Sequence, residues 1–226
     1  MTAPVSVIIP TFNSAANFAA TLAPLYDGLH QGVVRELILS DGGSCDDTAR
    51  IADDLGAVWL TGPASRGGQI RRAVDAAQGD WLLILHSDTR LPNDWVDLCM
   101  QHLTHQDAGY FDLSFDQGGF AARWTAGWAN IRARLFGLPY GDQAMLVPKA
   151  LLQQVGGYPD IPLMEDVALA KRLKGRLRPL GSAVVTGADK YRKHGWGRQG
   201  MRNITLLLKY LMGADPHELY QRYYRR

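Results

Sequence analysis

Val5-Ser6-Val7-Ile8-Ile9-Pro10-Thr11 is a short run of β-branched and apolar residues that stops at a proline and a polar side chain. The run barely alternates, as expected for a strand covered on both faces in a largely parallel sheet. Working outward, the same pattern recurs at Glu36–Ser40, Ala57–Leu60 and Trp81–Leu85. Helix-like stretches separate these runs, at Ala15–Leu29, Asp46–Leu55 and Gly67–Ala77, and Ser44 with Asp47 has capping-box spacing before the second. Strand–helix alternation with short connections predicts right-handed βαβ units. Ligands of such sheets bind beyond the carboxyl ends of the strands, which singles out Thr11, Asp41 and Asp88.

The second half is less regular. Ala108–Phe115 and Ala144–Val147 read as strands, as does Ala183–Thr186. Helices are expected at Phe120–Phe136, Lys149–Val155, Glu165–Leu173, Gln199–Met212 and Asp215–Arg225. With 226 residues and no repeat or linker, one domain spanning 1–226 is expected, with a nucleotide-binding half (1–115) and an acceptor half with C-terminal helices (116–226). A composition of 46% hydrophobic and 20% charged residues excludes a disordered chain, and a net charge of +2 gives no case for nucleic acid. Two cysteines, Cys45 and Cys99, fit a reducing compartment. Met1-Thr2-Ala3-Pro4 lacks a basic leader region, and Trp81–Leu85 is far shorter than the ~20 apolar residues of a membrane span. A cytoplasmic location is expected, with peripheral contact at the inner face of the membrane as a further option.

Five segments carry candidate chemistry. Asp41-Gly42-Gly43-Ser44 can offer a carboxylate to a nucleobase or ribose, or it can simply organise the turn. His86-Ser87-Asp88, just past a buried strand, suits a Mn²⁺ or Mg²⁺ ion bridging two phosphates, and equally a turn cap. Glu165-Asp166 opens a helix, where acids favour the dipole whether or not one serves as a general base. Lys190, Arg192, Lys193, His194, Trp196 and Arg198 form a basic, aromatic segment able to cover a diphosphate. Gly67, Gln69 and Arg71 lie where a helix N-terminus can hold an anion. Trp124 and Trp128 are expected in the core. The apolar positions of the last two helices (Leu206, Leu207, Leu208, Tyr210, Leu211, Tyr220, Tyr223, Tyr224) are expected to serve core or dimer packing. Contact with anionic lipid through Arg222, Arg225 and Arg226 is the lesser use.

In order, Val5–Asn13, Asp41–Thr48, an aspartate after an apolar strand, and Glu165-Asp166 resemble the family-2 glycosyltransferases from about Val5 to about Leu173. The resemblance implies an α/β GT-A fold, a Rossmann-like, mostly parallel central sheet with helices on both faces and a C-terminal helical tail. It implies a nucleoside pocket lined by Pro10, Thr11 and Asp41. Asp88 would stand at the metal-binding aspartate of the DxD element, and Asp166 would be the base of an inverting, divalent-cation-assisted transfer from a nucleotide-diphosphate sugar. Asp142, in the Gly141-Asp142-Gln143 turn, would sit near the acceptor, a small molecule or a lipid-linked one.

Leu85–Thr89, Tyr140–Gln143 and the short basic tail are similar to a small bacterial subgroup associated with arsenosugar biosynthesis. Two positions depart from the family pattern. His86 replaces the first aspartate of DxD, and Lys190–Trp196 does not match the QxxRW element of processive synthases, which argues against polymer synthesis. A nucleotidyltransferase, or a nucleotide-sugar-binding protein without catalysis, are the alternatives. The first is disfavoured because Thr11–Ala15 holds no glycine or basic residue.

Overall fold

The computed structural model describes residues 3–224, with the side chain of Tyr224 left aside; Arg225 and Arg226 lie outside the described residues. The strands are β1 (Val5–Thr11), β2 (Val34–Asp41), β3 (Val58–Thr61), β4 (Trp81–Ile84), β5 (Thr89–Arg90), β6 (Ala108–Phe115), β7 (Met145–Pro148) and β8 (Leu177–Thr186). They form one sheet in the order β3-β2-β1-β4-β7-β6-β8-β5. β3, β2, β1 and β4 are parallel throughout, whereas β7 runs antiparallel to β4 and β6, and β5 antiparallel to β8. The sheet is thus mixed, Rossmann-like in its first half, with β6–β8 adding one more parallel pair.

The pleat explains why the strand runs do not alternate. Val7, Ile9, Leu39 and Leu83 point to one face, against Phe18, Trp95 and Phe111. Their neighbours Ile8, Ile38, Leu82 and Ile84 point to the other, against Ile70, Val74 and Leu151. Both faces are therefore filled. A third cluster joins Leu163, Met164 and Val167 to Leu206 and Leu219 of the last helices, with Leu207, Tyr210, Tyr220 and Tyr223 packed around it. These C-terminal positions serve the core, whereas Leu208 and Leu211 face outward.

Several local expectations are corrected. The stretch Ala15–Leu29 is two helices, α1 (Ala15–Leu22) and α2 (Leu25–His30), because Pro24 cannot extend a helix through its own position. The capping box fails: the Ser44 hydroxyl is drawn to Asp41, the N-cap of α3 (Thr48–Asp54), Asp47, makes no side-chain cap, and the Thr48 amide donates instead to the Asp46 carboxylate. β8 begins at Leu177, six residues before the expected start, in a segment whose Pro179 and Gly181 read as loop. α4 (Arg66–Ala76) and α6 (Phe120–Phe136) stand as expected, while α5 (Trp95–His102) had no sequence counterpart. α7 (Lys149–Gln154) and α8 (Glu165–Arg172) follow, then α9 (Asp189–His194), also unforeseen, and α10 (Trp196–Leu211) and α11 (Pro216–Tyr224). Trp124 and Trp128 are not core residues: α6 turns Ala122, Ala126, Ala129 and Ala133 inward and leaves both indoles at least half exposed, 69% and 50%. No helix among the described residues is long and apolar enough to cross a membrane.

Gly67 fixes the relation between α4 and the segment that leads into α8. Its N–H donates to the Ile161 carbonyl, and a Cβ at this position would sit 2.2 Å from the Pro159 oxygen and 2.5 Å from that of Ile161. Those are backbone atoms that cannot swing away. Gly67→Ala is therefore expected to lower stability by about 1–3 kcal/mol, as overpacking does; an unchanged thermal midpoint would contradict this packing.

Candidate active site

β1 and β2 finish level, because Thr11 pairs with Asp41, while β4 stops at Ile84 opposite Ile8, three residues short of the end of β1. Beyond them lies a cleft of about 510 Å³, within the roughly 300–1,000 Å³ typical of ligand pockets. Pro10, Thr11, Gln69, His86, Ser87, Asp88, Asp142, Glu165, Asp166 and Lys190 all line it, so ten sequence candidates meet in one place.

The remaining candidates stand elsewhere. Asp41 is buried behind Thr11 and spends its carboxylate on the loop: Thr11 Oγ1 donates at 2.9 Å, Ser44 Oγ at 2.5 Å, and the Gly43 and Ser44 amides at 2.7 Å each. Burial pushes this carboxyl up, but those bonds outweigh it and hold it below the usual range. Gly67 is a packing residue, as above. Arg71 pairs with Asp160 on the surface. Gln143 is buried in the turn, accepting from the Tyr140 amide and donating to the Phe111 carbonyl. Arg192 pairs with Asp189, away from the cleft. Trp196 stacks on Tyr191 and meets Phe115 edge-on, so it braces two lining residues without lining the cleft itself.

Sequence reasoning missed Arg66 and the contributions of Tyr191, Gln199, Asn203 and Tyr223; of the basic segment it named, Lys190 lines the cleft. Arg66 was findable: it is the first residue of α4, and Arg71, five positions on, lies roughly 140° around the helix. Likewise Arg192 is about 200° around from Lys190 on α9.

Asp166, at the cleft, is aimed by two backbone amides. The Gly141 amide donates to its Oδ2 at 2.8 Å and the Val167 amide to its Oδ1 at 2.7 Å. Gly141 also receives the His86 ring, whose Nε2 would lie 2.5 Å from any Cβ there. The Gly141–Gln143 turn thus ties the loop after β4 to the start of α8. Backbone strain gathers at the same place: Ala144 and Met164, flanking this turn and Glu165, both have positive φ (46° and 63°).

Charge is concentrated. Burial, with the like charge of Asp166, raises the Glu165 carboxyl to about 8 against the pull of Arg66, whose Nε is 3.7 Å away. Burial raises Asp142 to about 6, helped by Asp166 and Asp88 and opposed by Arg132. The His86 imidazole is held well below its ordinary value by burial and by the Arg66 and Lys190 charges, which keeps it neutral. Asp142 Oδ1 is buried without a hydrogen-bond partner.

Among the described residues no group of three or more ligand-type side chains converges as a closed metal cage. The donor set fits a different mode, in which one carboxylate and substrate phosphates share the ion. Asp88 is exposed at the cleft with its carboxylate beside Gly187, while His86 is packed against the turn.

A carboxyl whose folded value is raised stabilises the fold only while protonated, so its contribution is lost as pH rises through that value. Replacing Glu165 by Gln is expected to widen the stability gap in favour of the variant between the ordinary value of 4.5 and about 8. Thermal melts across that range test it, and a pH-independent gap would contradict the buried-acid reading.

Residues 6–139 match the family described as Glycosyl transferase family 2. The PGL/p-HBAD biosynthesis glycosyltransferase of Mycobacterium tuberculosis (strain ATCC 25177 / H37Ra) is 34% identical over 142 residues, covering 50% of this chain and 54% of that protein. The chain therefore spans about half the length of this curated relative. Among solved structures, S. aureus TarS 1–349 superposes with a TM-score of 0.64 at 15% identity, over 96% of this chain and 68% of the other. The glucosyl-3-phosphoglycerate synthase from Mycobacterium tuberculosis, in complex with Mn²⁺ and uridine-diphosphate-glucose, gives 0.59 at 20% identity, over 91% and 78%. At such identities these likenesses speak for the fold. The family match runs from the second residue of β1 to the residue before Tyr140, more than half of the sequence, and the chain belongs to the family-2 glycosyltransferases.

Proposed function

We propose that the protein transfers a single sugar from a UDP- or GDP-type nucleotide-diphosphate sugar to an acceptor hydroxyl, with inversion at the anomeric carbon. The observation that carries this reading is the pairing, in one cleft, of an aimed carboxylate, Asp166, with two cations, Arg66 and Lys190, and the exposed Asp88. TarS bound to UDP-GlcNAc and the synthase bound to Mn²⁺ and UDP-glucose share the fold and support it.

The donor's nucleoside would rest on Pro10 and Thr11, with Asp41 rigidifying the wall behind them. Arg66 and Lys190 would face the diphosphate, a charge-assisted contact that draws the leaving group. A divalent cation held by Asp88 and the donor phosphates would supply further neutralisation of that charge; His86 would position the turn rather than ligate.

In a single displacement the acceptor oxygen bonds to the anomeric carbon while the bond to the phosphate oxygen breaks. The electron pair leaves with the diphosphate, and the acceptor proton passes to Asp166. The two amide bonds fix Asp166 in one orientation, which is what a base acting at one hydroxyl requires. Asp142, with its unpartnered buried oxygen, stands on the acceptor side. The likeness of Leu85–Thr89 and Tyr140–Gln143 to the arsenosugar-associated subgroup is part of this reading, though it does not define the acceptor.

Asp166→Asn is expected to bind donor as the wild type does and to lower release of nucleoside diphosphate from UDP-glucose or UDP-GlcNAc by roughly 10²–10⁴-fold, the usual worth of a general base. Undiminished turnover would remove Asp166 from the reaction. In thermal-shift titrations with these donors and Mn²⁺, Asp88→Ala should lose the metal-dependent part of the stabilisation. Equal stabilisation of the wild type in EDTA would contradict the Asp88 assignment.

A further inference from the structure

α6 is built inside out. Its core side is a stripe of alanines (Ala122, Ala126, Ala129, Ala133), and its large apolar side chains face solvent: Phe120, Trp124, Trp128, Ile131 and Leu135, at helical spacing. An ordinary surface helix keeps polar residues on that side. Apart from two arginines, Arg123 and Arg134, every exposed residue of α6 is apolar or glycine. Small residues inward let the helix lie close to β6, but nothing in that packing requires two exposed indoles outward. Phe120 and Trp124 even stack on each other in the open, ring centroids 6.1 Å apart.

α10, in contact with α6, repeats the arrangement. Its inner face carries Gln199, Asn203 and Leu206 to the cleft, and its outer face shows Met201, Ile204, Leu208 and Leu211. Neither helix contains an Asp or Glu. Of their six basic residues, Arg134 pairs with Asp112, while Arg132 and Arg202 lie over the Tyr140 and Tyr223 rings. Arg123, Arg198 and Lys209 hold no acidic partner among the described residues.

We infer that the outer faces of α6 and α10 form a docking surface for an anionic lipid bilayer. Exposed Trp, Phe, Leu and Ile mixed with unpaired Arg and Lys, and without acids, is the composition of an interfacial helix whose apolar side enters the headgroup region. Charge selects this occupant over a second copy of the chain. A two-fold dimer through this face would set the same unpaired cations against each other. Because α10 lines the cleft with one face and the docking surface with the other, the cleft lies about one helix diameter, ~10 Å, from the bilayer. The inference goes beyond the transferase reading and does not require it.

The test is flotation of the full chain with phosphatidylcholine vesicles, with and without phosphatidylglycerol, at low and high salt. Light scattering of the protein alone gives its oligomeric state. The expected result is binding to the phosphatidylglycerol vesicles that weakens with salt. The double variant Trp124→Ala/Trp128→Ala should weaken it by about 10-fold or more, given the apolar area each indole buries. Arg123→Glu/Lys209→Glu should do so only for the anionic vesicles. Both variants should keep the wild-type melting temperature and donor response, since neither pair touches the cleft. Absence of flotation on anionic vesicles would overturn the inference, as would a dimer that the double tryptophan variant dissociates.

Discussion

The Gln69 side-chain amide donates at 2.8 Å to the carbonyls of both Thr11 and Ser40, where β1 and β2 end. The Thr11 carbonyl also accepts from the Gly42 amide at 2.9 Å, so the Gln69 amide adds a second bond there and ties the two strand ends together. Arg72, one turn on, reaches the Asp41 carbonyl at 3.1 Å, and Thr11 Oγ1 meets the Asp41 carboxylate. α4 is thereby locked across the carboxyl edge of the sheet, with Arg66 at its first position facing the cleft. The wall on which a nucleoside would rest is braced for the same reason: Gln69, Thr11 and Asp41 spend their side chains on one another and on the strand ends.

The opposite wall works differently. Glu165, Asp142 and Asp166 crowd against one another, burial pushes the first two carboxyls up, to about 8 and about 6, and the backbone on either side is held at positive φ. Such an arrangement persists only because the surroundings enforce it: the His86 ring against Gly141, Gln143 locked in its turn, and the Leu163–Leu206–Leu219 cluster beneath. Repulsion among these acids is relieved by positive charge entering the cleft, which links the electrostatics of this wall to the proposed cation-dependent donor.

Much of this was legible in the sequence because the first half places its chemistry where strands stop. Thr11, Asp41 and Asp88 each follow an apolar run, and Glu165-Asp166 opens a helix, so reading the edge of a parallel sheet found the cleft. Where the placement differs from the one-dimensional reading, the causes are physical. Asp41 looks like a ligand group in one dimension but is saturated by Ser44, Gly43 and Thr11 in three. Arg71 was named in place of Arg66, and Arg192 alongside Lys190, because composition does not record which side of a helix faces inward. Tyr191, Gln199, Asn203 and Tyr223 reach the cleft from helices that fold back over residues far away in sequence, a relation no local pattern encodes. The alanine stripe of α6 was present in the sequence, yet large aromatics were assumed to seek the core.

The most direct measurement is calorimetric titration of the wild-type protein with UDP and with GDP, in Mn²⁺ and in EDTA. The account predicts one site for one of the two nucleotides, bound more tightly with Mn²⁺. Absence of binding by both nucleotides under both conditions would contradict it.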